Sequence, residues 1–297
     1  MQWARHLAPP LRPVTLPRMS ILVLGGASWN TMIHLAQFPP PRPATISDAR
    51  AVTAAGSTGL GKALALKALG HEPLLHATIG DDPEGEAIRA FCQTRGIRTI
   101  FDIDPGGTSR HVNLMNQQGE RISIFLFNGS PAPPTDFAAL APHIAAASTI
   151  FLNITQSSIP LLPAVRASGA DVWVDLHDYD GSTPYHEQFI AEADVLQLSN
   201  EAIGDPRETM ARLAAHARLV ICTRGARGAL ALSGGQWHEV PAAPARLIDS
   251  NGAGDTFMVA TWHALTGGHG VPDALEFAAR CAAKAVESDE LVPASFG

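Results

Sequence analysis

Cysteine is scarce: Cys92, Cys222 and Cys281 are the only three in 297 residues. They are odd in number, far apart and without a CxxC, so neither a disulfide framework nor a cysteine zinc site is expected, and a reducing compartment such as the cytoplasm fits. Charge is sparse too. Charged residues make up 16%, and 21 Lys+Arg against 28 Asp+Glu give a net charge of -7. Nucleic acid as the main partner would need a basic face, so that class is set aside, whereas a small nucleotide held by a local nest of backbone donors is not. No run approaches 18 apolar residues, so no membrane span is expected. The 12 histidines form no HExxH or HxxxH pair and read as surface or core residues. What is present is apolar surface: hydrophobic residues reach 46%, enough for a sizeable core and too much for a disordered chain.

The first 18 residues contain Arg5, Arg12, Arg18 and four prolines but no acid. A transit peptide is also Arg-rich and acid-poor, yet these prolines spoil an amphipathic helix, and the stretch reads as a disordered tail, with Met19 as an alternative start. After it the pattern alternates. Strands are expected at Ile21–Leu24, Leu74–Ile79, Arg98–Ile103, Ile150–Asn153, Val172–Asp175, Val195–Leu198 and Leu219–Cys222. Several of these are short, fully apolar runs, as strands buried on both faces should be. Helices are expected at Leu60–Leu69, Glu84–Thr94, Pro160–Ser168, Glu208–Ala215, Asp255–Leu265 and Pro272–Glu287. This rhythm predicts an α/β fold with a doubly wound, mostly parallel sheet, spanning about residues 19–297 as one domain. Two segments interrupt it, at about 29–54 and 108–129, the second holding a hairpin of His111–Met115 and Arg121–Phe127. They are expected to form a small sheet off the main one, working as a lid that excludes water from a reacting phosphate.

Two glycine clusters compete as phosphate sites. Gly56-Ser57-Thr58-Gly59-Leu60-Gly61-Lys62-Ala63 satisfies GxxxxGK but puts Ala63 where a P-loop has its Mg²⁺-binding hydroxyl. It reads as a P-loop lacking its metal leg, as a glycine turn into a helix with Lys62 exposed, or as a substrate-facing loop. The second cluster, Asp249-Ser250-Asn251-Gly252-Ala253-Gly254-Asp255, precedes an apolar helix. The amides of Gly252, Ala253 and Gly254 would point from a helix N-terminus, whose partial charge of roughly +0.5 favours an anion. Asp255 there is either a helix-stabilising acid or a base that takes a proton from an attacking hydroxyl.

The run Asp249–Asp255 resembles the C-terminal signature of the ribokinase (PfkB) family of carbohydrate kinases. Further matches follow in the same order along the chain. Gly56 to Gly70, with Ile79-Gly80-Asp81-Asp82 and Gly85, resembles the family's N-terminal signature; Gly119-Glu120-Arg121 resembles its lid turn; Thr223-Arg224-Gly225-Ala226-Arg227-Gly228 resembles its nucleotide-binding turn. The resemblance covers nearly the whole chain after about Ile21. It implies a ribokinase-like fold and an ATP-dependent transfer of the γ-phosphate to a hydroxyl of a small sugar-like or nucleoside-like substrate. Asp255 would be the base and Gly252, Ala253 and Gly254 the anion hole. Asn200, Thr223, Gly225 and Gly228 would serve the nucleotide, and Gly56, Ser57, Gly61 and Thr31 the acceptor. Asp249 and Ser250 would stand at a monovalent cation (K⁺) site, and Mg²⁺ would be organised through water by Asn200 and, after a register shift, Glu201. A homodimer through the lid is familiar among similar proteins.

Departures from the pattern are as informative. The glutamate of the NxxE element falls at Ile203, the usual sugar-binding aspartate at Thr31, and the asparagine ending the glycine loop at Gly61. The usual grip on vicinal hydroxyls is therefore altered, and ordinary ribose should be poorly discriminated. Trp29, Asn30, His34 and His177 are candidates to line a different pocket, with packing or surface roles as the alternative for each. Two other classes stand beside the kinase: a metabolite-binding family member impaired in catalysis, and a P-loop NTPase using Lys62.

Overall fold

The computed structural model describes residues 20–119 and 121–296. The expected tail over 1–18 and the start at Met19 lie outside the described residues, as does Glu120. In chain order the elements are β1 Ile21–Leu24, β2 Ser28–His34, β3 Arg50–Gly56, α1 Thr58–Ala68, β4 Leu74–Ile79, α2 Pro83–Thr94, β5 Arg98–Ile103, β6 Arg110–Met115, β7 Arg121–Phe127, α3 Phe137–Ala146 and β8 Thr149–Asn153. After them come α4 Leu162–Ser168, β9 Asp171–Asp175, α5 Pro184–Ile190, β10 Val195–Ser199, α6 Pro206–Leu213, β11 Leu219–Thr223, β12 Ala229–Ser233, β13 Gln236–Val240, α7 Ala253–Thr266 and α8 Val271–Val286.

Nine strands form one sheet in the order β13-β12-β11-β10-β9-β8-β1-β4-β5. The seven from β11 to β5 run parallel, and β12 and β13 add an antiparallel edge. Side chains alternate across it, so each apolar run feeds two cores. Ile21, Val23, Phe151 and Trp173 pack with Leu60, Leu64, Trp262 and Leu275 of α1, α7 and α8. Leu22, Leu24, Val172 and Val174 pack on the other face with Leu140, Val165, Phe189 and Met210 of α3 to α6. The sheet is thus covered on both faces, which is why its strands read as unbroken hydrophobic runs.

A second sheet has the order β3-β2-β6-β7. Its β2 inner face buries Ser28, Asn30 and Met32, while β7 is almost wholly exposed. The β6–β7 turn reaches the loop before α7: Ser250 Oγ donates to Gly119 O at 3.3 Å, and Arg121 hydrogen-bonds Asn251 Oδ1.

Some elements escaped the sequence reading. Helix α3 is Ala-rich with Pro142 inside it, and its start is fixed by Asp136, whose carboxylate accepts from Ala139 N at 3.0 Å. The β12–β13 hairpin turns on Gly234 and Gly235, both with positive φ (55° and 76°), as a tight two-residue turn requires.

Candidate active site

Strand order reverses beside β1: the chain goes from β1 to β4 and β5 on one side, then returns to build β8 to β13 on the other. Open α/β sheets hold ligands beyond the carboxyl ends of the strands at such a point. Asn153 ties the edges of this crevice together. Its Nδ2 donates to Leu24 O at 2.8 Å, and its Oδ1 accepts from Thr58 Oγ1 at the start of α1 at 2.9 Å.

Helix α7 starts at the same end of the sheet. Gly252 precedes it in left-handed backbone (φ 73°), and Asp255 lies in its first turn. The first amide to find a helical partner is Thr256, donating to Gly252 O at 2.8 Å; among the described residues nothing accepts from the N–H groups of Gly252, Ala253 or Gly254. Three unconsumed donors at a helix N-terminus have the geometry of an anion site.

Asp255 is 6% exposed. Its Oδ1 meets Lys62 Nζ at 2.5 Å. Its other oxygen lies over Gly61: a methyl group there would overlap Oδ2 and stand 3.0 Å from Cγ. Lys62 Nζ also reaches Asp175 Oδ2 at 3.4 Å. Gln197 Nε2 bridges Asp175 Oδ2 (3.3 Å) and the Gly254 carbonyl (3.0 Å). On the far side, His177 N donates to Asp175 Oδ1 at 3.0 Å, and its Nδ1 lies 3.6 Å from Oδ2. A buried chain of polar groups thus runs from His177 to the first turn of α7.

Charge in this chain is unevenly shared. Burial pushes the Asp255 carboxyl above the usual carboxylate range, and the negative Asp175 adds to that, while Lys62 opposes both. Asp175 is held low: burial would raise it, but His177, Lys62 and their hydrogen bonds outweigh that. Burial likewise favours neutral Lys62, yet two carboxylates keep it cationic with a raised pKa. Two acids whose environments push them apart are the arrangement expected where one stays ionised and the other exchanges a proton.

Lys62 is fully buried, which overturns two readings of the GxxxxGK motif. It is not an exposed lysine after a glycine turn, and it is not free to meet nucleotide phosphates. The preceding strand β3 belongs to the small sheet, where it pairs antiparallel with β2, rather than to the parallel sheet that a P-loop leaves. The lysine stays in the interior because two carboxylates compensate its charge.

On the acceptor side, Gly56 faces Asn30, whose Nδ2 would overlap any side chain there. Ser57 holds φ 82° although it is not glycine, and His177 is the other such residue among those described, at φ 54°. Both flank this site, and strained backbone of this kind costs about 1–3 kcal/mol unless something over-determines it. Strand alternation turns Ser28 and Asn30, rather than the half-exposed Thr31, toward the face that carries Gly56. Ser28 Oγ and Asn30 Oδ1 are buried without a hydrogen-bond partner, which is unusual for polar atoms unless a ligand completes them.

Asn200 and Thr223 sit side by side beyond β10 and β11, with Asn200 N donating to Thr223 O at 3.0 Å. Gly225 and Gly228 follow in a short 3₁₀ turn, both with positive φ. Thr223 is thus adjacent to Asn200, while Gln197 on β10, the strand that leads to Asn200, reaches α7. The metal residues are less concentrated. Glu201 is exposed, Ile203 packs toward the core, and Asn200, in the amide orientation that satisfies it, donates to Thr223 O and accepts from Arg227. Asp249 Oδ1 accepts from Asn251 N at 2.7 Å and Nδ2 at 2.6 Å. Among the described residues no three acidic, histidine or cysteine side chains converge as a metal cage, which suits Mg²⁺ held through water and substrate phosphates rather than by a dedicated protein cage.

Gln197 was missed from sequence, although a lone amide inside Val195-Leu196-Gln197-Leu198 was a signal. Lys62 within the apolar run Gly59–Leu66 was another.

A helix N-terminus with free donors and a first-turn acid, set at the switch point of a doubly wound sheet, is an arrangement that suits a phosphotransferase acting on a hydroxyl group. The pfkB family carbohydrate kinase model matches residues 188–293. An acarbose 7(IV)-phosphotransferase of Actinoplanes sp. is 34% identical over 247 residues, covering 80% of this chain and 82% of that protein. A solved microbiome-derived acarbose kinase superposes with a TM-score of 0.83 at 28% identity, covering 91% of this chain and 93% of that one. Ribokinase of Arabidopsis thaliana, solved with ribose and ATP, shares the fold at a TM-score of 0.73 and 21% identity, over 93% and 95% of the two chains. The chain belongs to the PfkB family of carbohydrate kinases. It has the ribokinase-like fold, and its reaction is ATP-dependent phosphoryl transfer to a sugar.

Proposed function

We propose that this sugar kinase uses Asp255 as the base toward the acceptor hydroxyl and the amides of Gly252, Ala253 and Gly254 to hold the transferring phosphoryl group. The observation that carries this is the coincidence of three unconsumed N–H donors and one acidic side chain in the first turn of α7. Asp255 cannot ionise the alcohol beforehand. An aspartate near 3.9 and an alcohol near 15.7 differ by roughly 12 units, about 16 kcal/mol, and the raised pKa of Asp255 only narrows this. Proton transfer therefore accompanies or follows attack, and positioning supplies most of the acceleration.

Thr223, Gly225 and Gly228 border the nucleotide in this reading, with Asn200 beside them. Asn200, with Glu201 next to it, would hold Mg²⁺ through water beside the ATP phosphates, where the cation would supply positive charge. A K⁺ site at Asp249 and Ser250 remains an expectation of the same reading. The small sheet, whose turn touches the loop before α7, acts as the lid over 29–54 and 108–129. A second copy covering Ile122, Ile124, Phe125 and Leu126, all exposed on β7, is consistent with a homodimer through that lid.

The acceptor is an acarbose-like oligosaccharide rather than free ribose. Two relatives carry acarbose in their names. The altered hydroxyl grip, with Gly61 and Ser57 in the glycine loop and the unpartnered Ser28 and Asn30, suits a different sugar. The test is Asp255→Asn assayed on acarbose, maltotriose and ribose. Turnover should fall by about 10³-fold or more while ATP affinity, read by calorimetry, holds. Unchanged turnover refutes the base, and a higher kcat/KM on ribose refutes the acceptor class. The second reading, a metabolite-binding member, is favoured by Ile203 packing toward the core where the NxxE glutamate would stand. It predicts acceptor binding with no transfer in the unsubstituted protein.

A further inference from the structure

We infer that Lys62, braced by Asp175, is a positioning residue of the phosphoryl transfer: it holds one oxygen of Asp255 so that the other is presented to the acceptor hydroxyl. The inference rests on Asp255 being the base and adds a residue within the Gly56–Gly70 stretch to which the resemblance assigns no role. The lysine is fully buried, and Nζ is the only hydrogen-bond partner of the Asp255 side chain among the described residues. Pairing at Oδ1 leaves Oδ2 over Gly61, at the floor of the glycine loop that begins with Gly56 facing Asn30. A carboxylate tethered at one oxygen has lost rotation about its last bond, which is the freedom a base must give up to meet its substrate in line.

Lys62 does not act alone. With only Asp255 beside it the pair would be neutral, and the base would be a poor proton acceptor. Asp175 supplies a second negative charge 3.4 Å from the same ammonium, so Lys62 is shared and Asp255 is less strongly stabilised as an anion. The groups facing Asp255 are Lys62 from α1, Asp175 from the end of β9 and His177 just beyond it. Gln197 adds a neutral link from Asp175 to the carbonyl of Gly254. The alignment of the base and of the phosphate-side turn is thereby set by one buried assembly. During transfer the hydroxyl proton moves to Asp255 Oδ2 as the new P–O bond forms and the bond to the ADP oxygen breaks; Lys62 keeps its protons.

A lysine that merely neutralises buried acids predicts a different outcome from one that positions the base, and a paired substitution separates them. Lys62→Met leaves two buried acids without the lysine they share, so it should lose thermal stability and raise the acid limb of kcat/KM by about one to three pH units, because Asp255 has lost its counter-charge. Lys62→Met with Asp175→Asn has the same net charge in the cluster as the native chain. We expect the double variant to recover most of the melting temperature while kcat stays at least about tenfold down and KM for ATP is unchanged. If the double variant regains both stability and native kcat, Lys62 is structural and the inference falls. It also falls if soluble Lys62→Met keeps the native acid limb. Loss of turnover in Asp255→Asn, with full turnover in the double variant, overturns the role of Lys62 alone. Native turnover in Asp255→Asn overturns the reading beneath it.

Discussion

Gly61→Ala isolates the contact on which the geometry of the base depends. In an exposed helix interior, replacing glycine by alanine stabilises by about 1 kcal/mol through backbone entropy alone. Gly61 is in the first turns of α1 and buried, and its missing methyl group is where Asp255 Oδ2 lies, with Cγ at 3.0 Å and Cβ at 3.3 Å from that point. The methyl cannot enter without driving the carboxylate off α1, an overpacking cost of about 1–3 kcal/mol. Displacement also lengthens the 2.5 Å contact to Lys62, so the net effect is a loss of up to about 2 kcal/mol, the overpacking less the helix gain. For a chain of this size that is a fall of a few degrees, at about 2–4 °C per kcal/mol. Activity should suffer more than stability. A shift of about 1 Å at a reacting group costs on the order of 10²-fold in rate, and KM for ATP should change little because the proposed nucleotide turn, Thr223–Gly228, is built by other elements. Calorimetric melting and a coupled ADP-release assay give both quantities on one preparation. A variant that melts higher than the native chain and turns over at the native rate would show that the carboxylate does not rest on α1.

Two other perturbations test the surrounding structure. Gly228 holds φ 80°, and a methyl group there would collide with the backbone at Val240 O and Ala242 N. Because neither partner is a flexible side chain, Gly228→Ala should cost about 2 kcal/mol or more and raise KM for ATP, read by urea unfolding and initial rates; a variant with native stability and KM would contradict this turn. Asp104 accepts from Ser130 N at 2.7 Å, Ser130 Oγ at 2.5 Å and Gly106 N at 2.8 Å. Burial opposes its ionisation, but those donors outweigh it and hold the carboxyl below its usual range. A depressed folded pKa gives stability that is present above about pH 4, the unfolded value, and lost as pH falls through the folded one. Asp104→Asn should therefore flatten the fall in urea midpoint between about pH 5 and pH 3. An unaltered acid slope would show that this carboxylate does not carry the effect.

The sequence by itself determined the α/β class and most of the parallel strands. Runs such as Leu219-Val220-Ile221-Cys222 are apolar at every position, and only a sheet covered on both faces buries such a run completely. It also determined the end of the fold where phosphate chemistry belongs, because Gly252-Ala253-Gly254-Asp255 before an apolar helix encodes a helix N-terminus with a first-turn acid in consecutive residues. Tertiary structure decided what local pattern cannot express. Lys62 and Asp255 are 193 residues apart, and Lys62 and Asp175 are 113, so no window of sequence contains the ion pairs that turn a lysine of P-loop appearance into a buried partner of the carboxylate. Whether Thr31 or Asn30 faces the glycine loop depends on a one-residue choice of strand face, fixed only when β2 pairs with β3 and β6. Local propensity places elements and their ends. The partners of a buried charge are chosen by which elements the fold brings together, since only an opposite charge from elsewhere in the chain can offset its loss of water.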